Sequence, residues 1–241
     1  MNQEPSLGMP TSIRAVLIAK TSPLGRHGVA SGIFKRPLDH AVDVTRIGLA
    51  GDEQGDKRHH GGPEKAVHHY AFDHYATWKA EAPELAEVLG KEGAFGENIS
   101  TEGLTEAGVC IGDIYRLGTA LVEVSQARQP CWRLNERFGN AVMARRVQDT
   151  GRTGWYYRVL EEGRVGPGDT LDLLDRPVMD WPLDRILHLL YRDTLNTDDL
   201  AQLAELSPLT ESWRLLARHR LEHCAVENWS RRLNSPEGAA P

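Results

Sequence analysis

The chain has 241 residues, 40% hydrophobic and 26% charged, the proportions of a globular domain with a sizeable core and at most a small appendage. Its net charge of −6 argues against a nucleic-acid surface and leaves room only for local basic patches. Three cysteines, an odd number, make no disulfide framework and fit a reducing cytoplasm, and no apolar run approaches the ~18 residues of a membrane span. Residues 1–12 lack the basic and apolar parts of a signal peptide and read, like residues 234–241, as a flexible end.

The first two thirds read as β-rich. Residues 13–20 (IRAVLIAK) form a β-branched apolar run, and residues 41–47 alternate through Val42 and Val44. Residues 113–117 and 120–125 flank Gly118-Thr119, a hairpin signal. Residues 155–160 (WYYRVL) are aromatic and β-branched, and residues 170–174 alternate behind the turn Gly166-Pro167-Gly168-Asp169. Short strands parted by glycine-rich turns predict a barrel or a strongly curved sheet. Helical interruptions are predicted at residues 72–79, 83–90 and 139–148. After Arg176-Pro177 the period changes. Asp180 is a predicted N-cap for a helix carrying Leu183, Ile186, Leu187 and Leu190. Thr197 caps a second helix, and Ser207-Pro208 opens a third with Leu209, Trp213, Leu216 and Leu221 on one stripe.

Four stretches carry chemistry. The first runs from Gly51 to Tyr70, where Gly61-Gly62 lets backbone approach a ligand and can form an anion-binding nest. His60 and Lys65 add charge-assisted donors; a glycine-rich loop with solvated charges is the plainer alternative. Five histidines (His59, His60, His68, His69 and His74) give only a weak zinc pattern, because adjacent pairs on a strand point opposite ways. The second stretch, Gly93 to Thr101, holds Glu97 and Asn98, suited to backbone bracing. In the third, Ser125-Gln126-Ala127-Arg128-Gln129-Pro130-Cys131-Trp132-Arg133, a lone thiol follows a strand and stands between two arginines. Cationic surroundings favour thiolate, the nucleophilic and metal-binding form. A buried small hydrophobe is the commoner fate of a free cysteine, and this stretch alone leaves both open. The fourth is Gly151 to Arg158, with Arg158 on a strand, where an arginine is usually an ion-pair partner.

Taken together these stretches resemble the MOSC family, the domain that also ends eukaryotic molybdenum cofactor sulfurases, and within it the bacterial YiiM-like branch. The matching pieces are Ser31-Gly32-Ile33-Phe34-Lys35, Gly51-Asp52-Glu53-Gln54-Gly55-Asp56, His60-Gly61-Gly62-Pro63-Glu64-Lys65-Ala66-Val67, Phe95-Gly96-Glu97-Asn98, Gly112-Asp113, Ser125 to Cys131, and Gly154-Trp155-Tyr156-Tyr157-Arg158, in the family's order. Ala127 departs from an expected proline. The helical segment after Asp184 resembles the family's three-helix appendage.

The resemblance implies a mainly β (α+β) fold: a MOSC-type β-barrel over residues 13–176 and a three-helix appendage over residues 180–232. It also implies a bound molybdenum cofactor, a pterin dithiolene with a phosphate, and the family is described besides as binding pyridoxal phosphate. Cys131 becomes the molybdenum ligand or sulfur carrier, a soft thiolate suited to that metal. His60 becomes the proton donor, its pKa range lying near neutrality. The implied cofactor contacts are Ser31, Lys35, Gly61, Gly62, Lys65, Asn98, Gln126, Arg128 and Arg158. The implied activity is reduction of N-hydroxylated small molecules such as 6-hydroxylaminopurine, a cytoplasmic detoxification. The three cysteines cannot hold a four-cysteine cluster, so the electrons would come from a separate reductase; no nucleic-acid or membrane partner is expected, and a homodimer is the assembly to test. The alternative is a carrier of cofactor or sulfur, with Cys131 as ligand or persulfide and no turnover of its own. Arg185, Arg192, Arg214 and Arg218 are the expected docking charges of the appendage.

Overall fold

The computed structural model describes residues 7–56 and 60–236. Most of the expected flexible ends, residues 1–6 and 237–241, lies outside them, as does His59. The first strand begins at Thr11, where Thr11 faces Leu171 and Ser12 faces Thr170, so the last two residues of the expected flexible start belong to the barrel.

Seven strands close into a mixed barrel. β1 (Thr11–Ile18) lies between β8 (Ile99–Thr101) and β13 (Thr170–Asp175). From β13 the ring continues through β9 (Ile114–Leu117), β10 (Ala120–Ala127), β11 (Trp155–Glu161) and β7 (Val67–Ala71), and returns to β8. Every pairing is antiparallel except β7 with β8. The alternation predicted for the β10 segment turns Ala120, Val122 and Val124 into the core. β7 lacks that signal because all five of its residues are buried, one face inside the barrel and the other beneath outer helices. A strand covered on both sides shows no period of two.

Shorter elements shape the rim. β2 (Ser22–Leu24) and β3 (Val29–Ser31) form a hairpin, β4 (Arg36–Pro37) extends β1, and β5 (Val42–Thr45), β6 (Gly48–Leu49) and β12 (Gly163–Val165) make a second sheet. The predicted helix at 72–79 is α1 (Asp73–Glu81), whereas 83–90 tightens into two 3-10 turns, Pro83–Leu85 and Val88–Gly90. α2 (Arg133–Phe138), which the sequence pattern does not announce, precedes α3 (Met143–Thr150), the helix predicted at 139–148. Gly139 in the left-handed conformation, φ 60°, ends α2.

The C-terminal unit holds α4 (Leu183–Tyr191), α5 (Thr197–Glu205) and α6 (Glu211–His223), followed by the short α7 (Ser230–Leu233). Its starts differ from those predicted. Pro182 precedes α4 and pairs in a bridge with Cys110; the residue before a proline is kept extended, so Asp180 caps nothing. Asn196 caps α5, its Oδ1 accepting from Asp199 N at 3.1 Å. Ser207 and Pro208 are spent in the turn closed by Leu209 N donating to Leu206 O, 3.1 Å. Leu187, Leu190, Leu200, Leu203 and Trp213 join Val109, Ile111, Leu117 and Val122 in one apolar core. The helices therefore complete the barrel's packing. Their arginines are committed within the chain: Arg185 to Asp199, Arg192 to Asp149 O, Arg214 to Glu211, and Arg218 to Glu205. The expected cationic docking face is thus interleaved with acids.

A shared core predicts one cooperative transition. Trp213→Ala should destabilise the whole molecule by about 3–5 kcal/mol in urea unfolding followed by both tryptophan fluorescence and far-ultraviolet circular dichroism. Two resolved transitions would mean that helices and barrel fold as separate units.

Candidate functional site

Strand β10 delivers the site. It pairs with β11 through a register shift between Val124 and Gln126, and its continuation is tied back where Arg128 N donates to Gly154 O at 2.9 Å. Gly154 is required there: with φ +71° it lies so close that a Cβ would stand 2.3 Å from His69 O and 3.0 Å from His68 Nε2. The chain then passes Cys131 and turns into α2, with Leu134 N donating to Cys131 O at 3.0 Å.

Cys131 is 7% exposed and lines a cleft. Its Sγ lies 3.2 Å from His60 Nε2, and His60 Nδ1 lies 3.7 Å from Asp56 Oδ2. Burial pushes the thiol up. The hydrogen bond from His60, the His60 and Arg128 charges, and the Arg133 backbone N–H together overcome it and bring the pKa to about 6. Near neutral pH the sulfur is a buried thiolate.

Around it stands a cationic lining. Arg128, 6% exposed, leaves its buried Nη1 without a hydrogen-bond partner. Lys65 also lines the cleft; burial pushes its ammonium down while Cys131 and Asp56 hold it up. Arg133 reaches Asp56 at 3.6 Å. His68 is buried beside Arg128, and its Nδ1 meets Gly96 O at 3.2 Å, which fixes the proton there. Burial, then the Arg128 charge, push His68 well below the ordinary histidine range, so it is neutral and its unpartnered Nε2 is an acceptor. Tyr156 packs on His68 with ring centroids 5.0 Å apart.

Other expected contacts are braces. Lys35 lines the cleft, but its Nζ is clamped by Asp52. Asp52 also accepts from Ala19 N at 2.8 Å and from Asn98 Nδ2 at 3.0 Å. Asn98 spends the rest of its amide on Leu17 O, 3.0 Å, and His68 N, 3.1 Å. Glu97 accepts from Gly93 N, Phe95 N and the Tyr75 hydroxyl, at 2.7, 3.1 and 2.5 Å. Ser31 lies in the lining. Neighbouring Gly32 lets the β3 end touch the opposite loop: a Cβ there would stand 1.9 Å from Glu53 O.

Four expected contacts fall outside the lining. Gly61 and Gly62 precede the 3-10 turn that carries Lys65; Gly62 has φ +96° and open space at its Cβ position. Its need for glycine is conformational. Gln126 Nε2 donates to Ala127 O at 3.2 Å. Arg158 points away to Glu64, Glu123 and Pro208 O, at 2.5, 2.9 and 2.9 Å, the ion-pair role usual for a wall arginine. Among the described histidines, His69 bonds Tyr157 and Thr101 internally and is pushed down to about 3 by burial, while His74 pairs with Glu106 at 2.6 Å. Among the described residues no cluster of three or more His, Cys, Asp or Glu could hold a metal. His68, Tyr156 and Asp56 were present in the motifs without a pattern that singled them out.

The thiolate predicts its own titration. Alkylation of Cys131 by iodoacetamide should rise through a midpoint near pH 6, with exposed Cys224 as the internal reference. His60→Ala should move the midpoint up towards the ordinary thiol value of about 8.5. An unchanged midpoint would mean that His60 does not sustain the thiolate.

Known proteins repeat this architecture. The MOSC domain profile matches residues 56–172 and the profile of the YiiM-like, 3-alpha helix domain matches residues 181–223. The chain is 40% identical over 206 residues to Protein YiiM of Escherichia coli strain K12, covering 86% of this chain and 91% of that one. The crystal structure of that protein superposes with a TM-score of 0.76 at 36% identity, over 89% of this chain and 99% of the other. It is 42% identical over 205 residues to the uncharacterized protein YflK of Bacillus subtilis strain 168, covering 84% and 91%. A longer protein of Gibberella moniliformis named Reductase is 38% identical over 218 residues, 90% of this chain but 38% of that one. With profile, sequence and fold in agreement along nearly its whole length, the chain belongs to the MOSC-domain family, in the YiiM-like group that carries a C-terminal three-helix domain.

Proposed function

We propose that this chain binds the molybdenum cofactor through Cys131 and reduces N-hydroxylated small molecules with electrons from a separate reductase. The observation that carries the reading is a buried thiolate set among cations with a guanidinium N–H left unpartnered. The residues fit the group. Thiolate is a soft ligand suited to molybdenum, and unpaired Arg128 Nη1 beside Lys65 suits phosphate or oxo oxygens. When bound, the molybdenum centre supplies the two-electron removal of oxygen from the substrate.

The protein's own contributions follow from the lining. Cys131 Sγ anchors the metal. Arg128 and Lys65 hold the anionic oxygens, and Arg133 adds charge at the rim. Lys35 and Asp52 neutralise each other and, with Asn98, keep the wall rigid. His60 Nε2 is the titratable nitrogen nearest the sulfur and would supply one of the two protons that release of the oxygen as water requires, with Asp56 facing Nδ1 to offset the charge. His68 Nε2 accepts a hydrogen bond from a ligand N–H or O–H.

The resemblance of a named reductase over most of this chain supports an oxidoreductase, and a cytoplasmic setting is consistent with three free cysteines. The same thiolate also favours a second reading, a sulfur carrier with Cys131 as persulfide. Anaerobic reconstitution with molybdenum cofactor, then a 6-hydroxylaminopurine assay with chemical reductant, separates them. Turnover supports the reductase, whereas tight binding without turnover supports the carrier.

Two variant sets test the roles. Cys131→Ser should retain the fold and lose molybdenum and turnover, while Cys110→Ser and Cys224→Ser keep both; near-normal turnover in Cys131→Ser would remove the ligand assignment. Lys65→Ala should weaken cofactor retention by about 1–3 kcal/mol and Arg128→Gln by at least as much. Lys35→Ala should act chiefly on stability, because it leaves Asp52 buried without its cation. Unchanged molybdenum content in Lys65→Ala and Arg128→Gln would place the cofactor elsewhere.

A further inference from the structure

The helical-domain profile ends at residue 223, yet the chain continues and returns to the loop that carries Cys131. Buried Arg220 holds the return. Its Nη1 donates to Leu190 O at 3.0 Å, and its Nε and Nη2 grip Glu227 at 2.9 and 2.8 Å. Glu227 in turn accepts from Trp229 Nε1 at 2.7 Å, and the Trp229 ring stands edge-on to Tyr191. Helix α7 then lies across the Cys131 loop. Leu233 is buried with Leu134 and Phe138, and its carbonyl accepts from Asn135 Nδ2 at 2.8 Å.

Arg232 makes the decisive contacts. Its Nη1 donates to Pro130 O, the carbonyl just before Cys131. Its backbone carbonyl accepts from Trp132 N, just after Cys131, at 2.7 Å. Its Nη2 donates to Gln148 Oε1 on α3 at 2.6 Å. One residue, 101 positions away in sequence, thus pins the peptide groups on both sides of the thiol and fastens them to a third element. The His60 bond to Sγ, the Arg128 charge and the Arg133 N–H act on the sulfur only if the loop holds this place.

We infer that Arg232 is a positioning residue for Cys131, and that the segment from Glu227 to Leu233 is part of the functional site. The inference extends the proposed function, since it assigns the loop's geometry to a segment beyond the helical domain. It requires only that Cys131 work as a held thiolate, whichever group that thiolate serves.

The test uses the full-length chain and needs no molybdenum. The rate of Cys131 alkylation by iodoacetamide is followed against pH, with Cys224 as reference and thermal unfolding measured in parallel. Arg232→Met should raise the alkylation midpoint by about one pH unit or more, since a loosened loop loses its thiolate-stabilising contacts. Arg232→Lys, which keeps a donor for Pro130 O but cannot grip Gln148 at the same time, should restore part of that shift. Gln148→Leu leaves the C-terminal segment untouched and removes only the outer anchor; it should shift the midpoint the same way by a smaller amount, and it decides the matter if Arg232→Met does not fold. A lowered melting temperature with an unshifted midpoint in Arg232→Met and Gln148→Leu would reduce Arg232 to an anchor of the chain end and overturn the inference. A shift in these variants stands even if reconstitution fails, so the two proposals fall separately.

Discussion

A charged sulfur kept out of water is the constraint on which the site depends. Burial alone would hold Cys131 as a neutral thiol. The chain sets a histidine, one arginine charge and a backbone N–H against that preference. Each acts over a few ångströms, and a hydrogen bond fades quickly with distance and angle. The loop bearing Cys131 must therefore be held on both sides, and the barrel, α2 and the C-terminal segment meet at this point.

The lining divides into groups that brace and groups left open. Lys35, Asp52, Asn98 and Glu97 answer one another and nearby backbone, leaving little capacity for a ligand. Such a network gives rigidity when every member is satisfied and is costly when any is not. Arg128 Nη1 and His68 Nε2 remain without partners although both are buried. Buried polar atoms are seldom left so unless something else meets them. A donor and an acceptor are thus left open beside the sulfur.

The sequence made the barrel legible where the period of two survives, as over residues 120–124 of β10, and where a β-branched apolar run stands out, as in β1. It hid β7, whose two covered faces erase the period, and it showed no sign of α2, whose 6 residues are too few to display a helical period. Cys131, Arg128, His60 and Lys65 stood in recognisable motifs, and the cleft brings them together. Lys35, Asn98 and Arg158 stood in the same motifs, but pairing with Asp52, Leu17 O or Glu64 decides their role, and pairing is a property of the fold. Arg232 left no signal, since two of its contacts are to backbone that any residue supplies and the third, Gln148, is brought near only by the fold.

The helical unit gains a clearer meaning from this arrangement. Packed on the barrel through Leu187, Leu190 and Trp213, it fixes where Arg220 stands, and Arg220 fixes where the chain turns back through Glu227. The held thiolate is thus reached from two directions, along β10 from the barrel and along α6 and α7 from the helices. A barrel alone would hold the same cysteine through β10 and α2, without the bonds that Arg232 makes to Pro130 O and Trp132 N. The charge balance at the sulfur needs both ends fastened, which makes the helices part of the chemistry without any of their side chains entering the cleft lining.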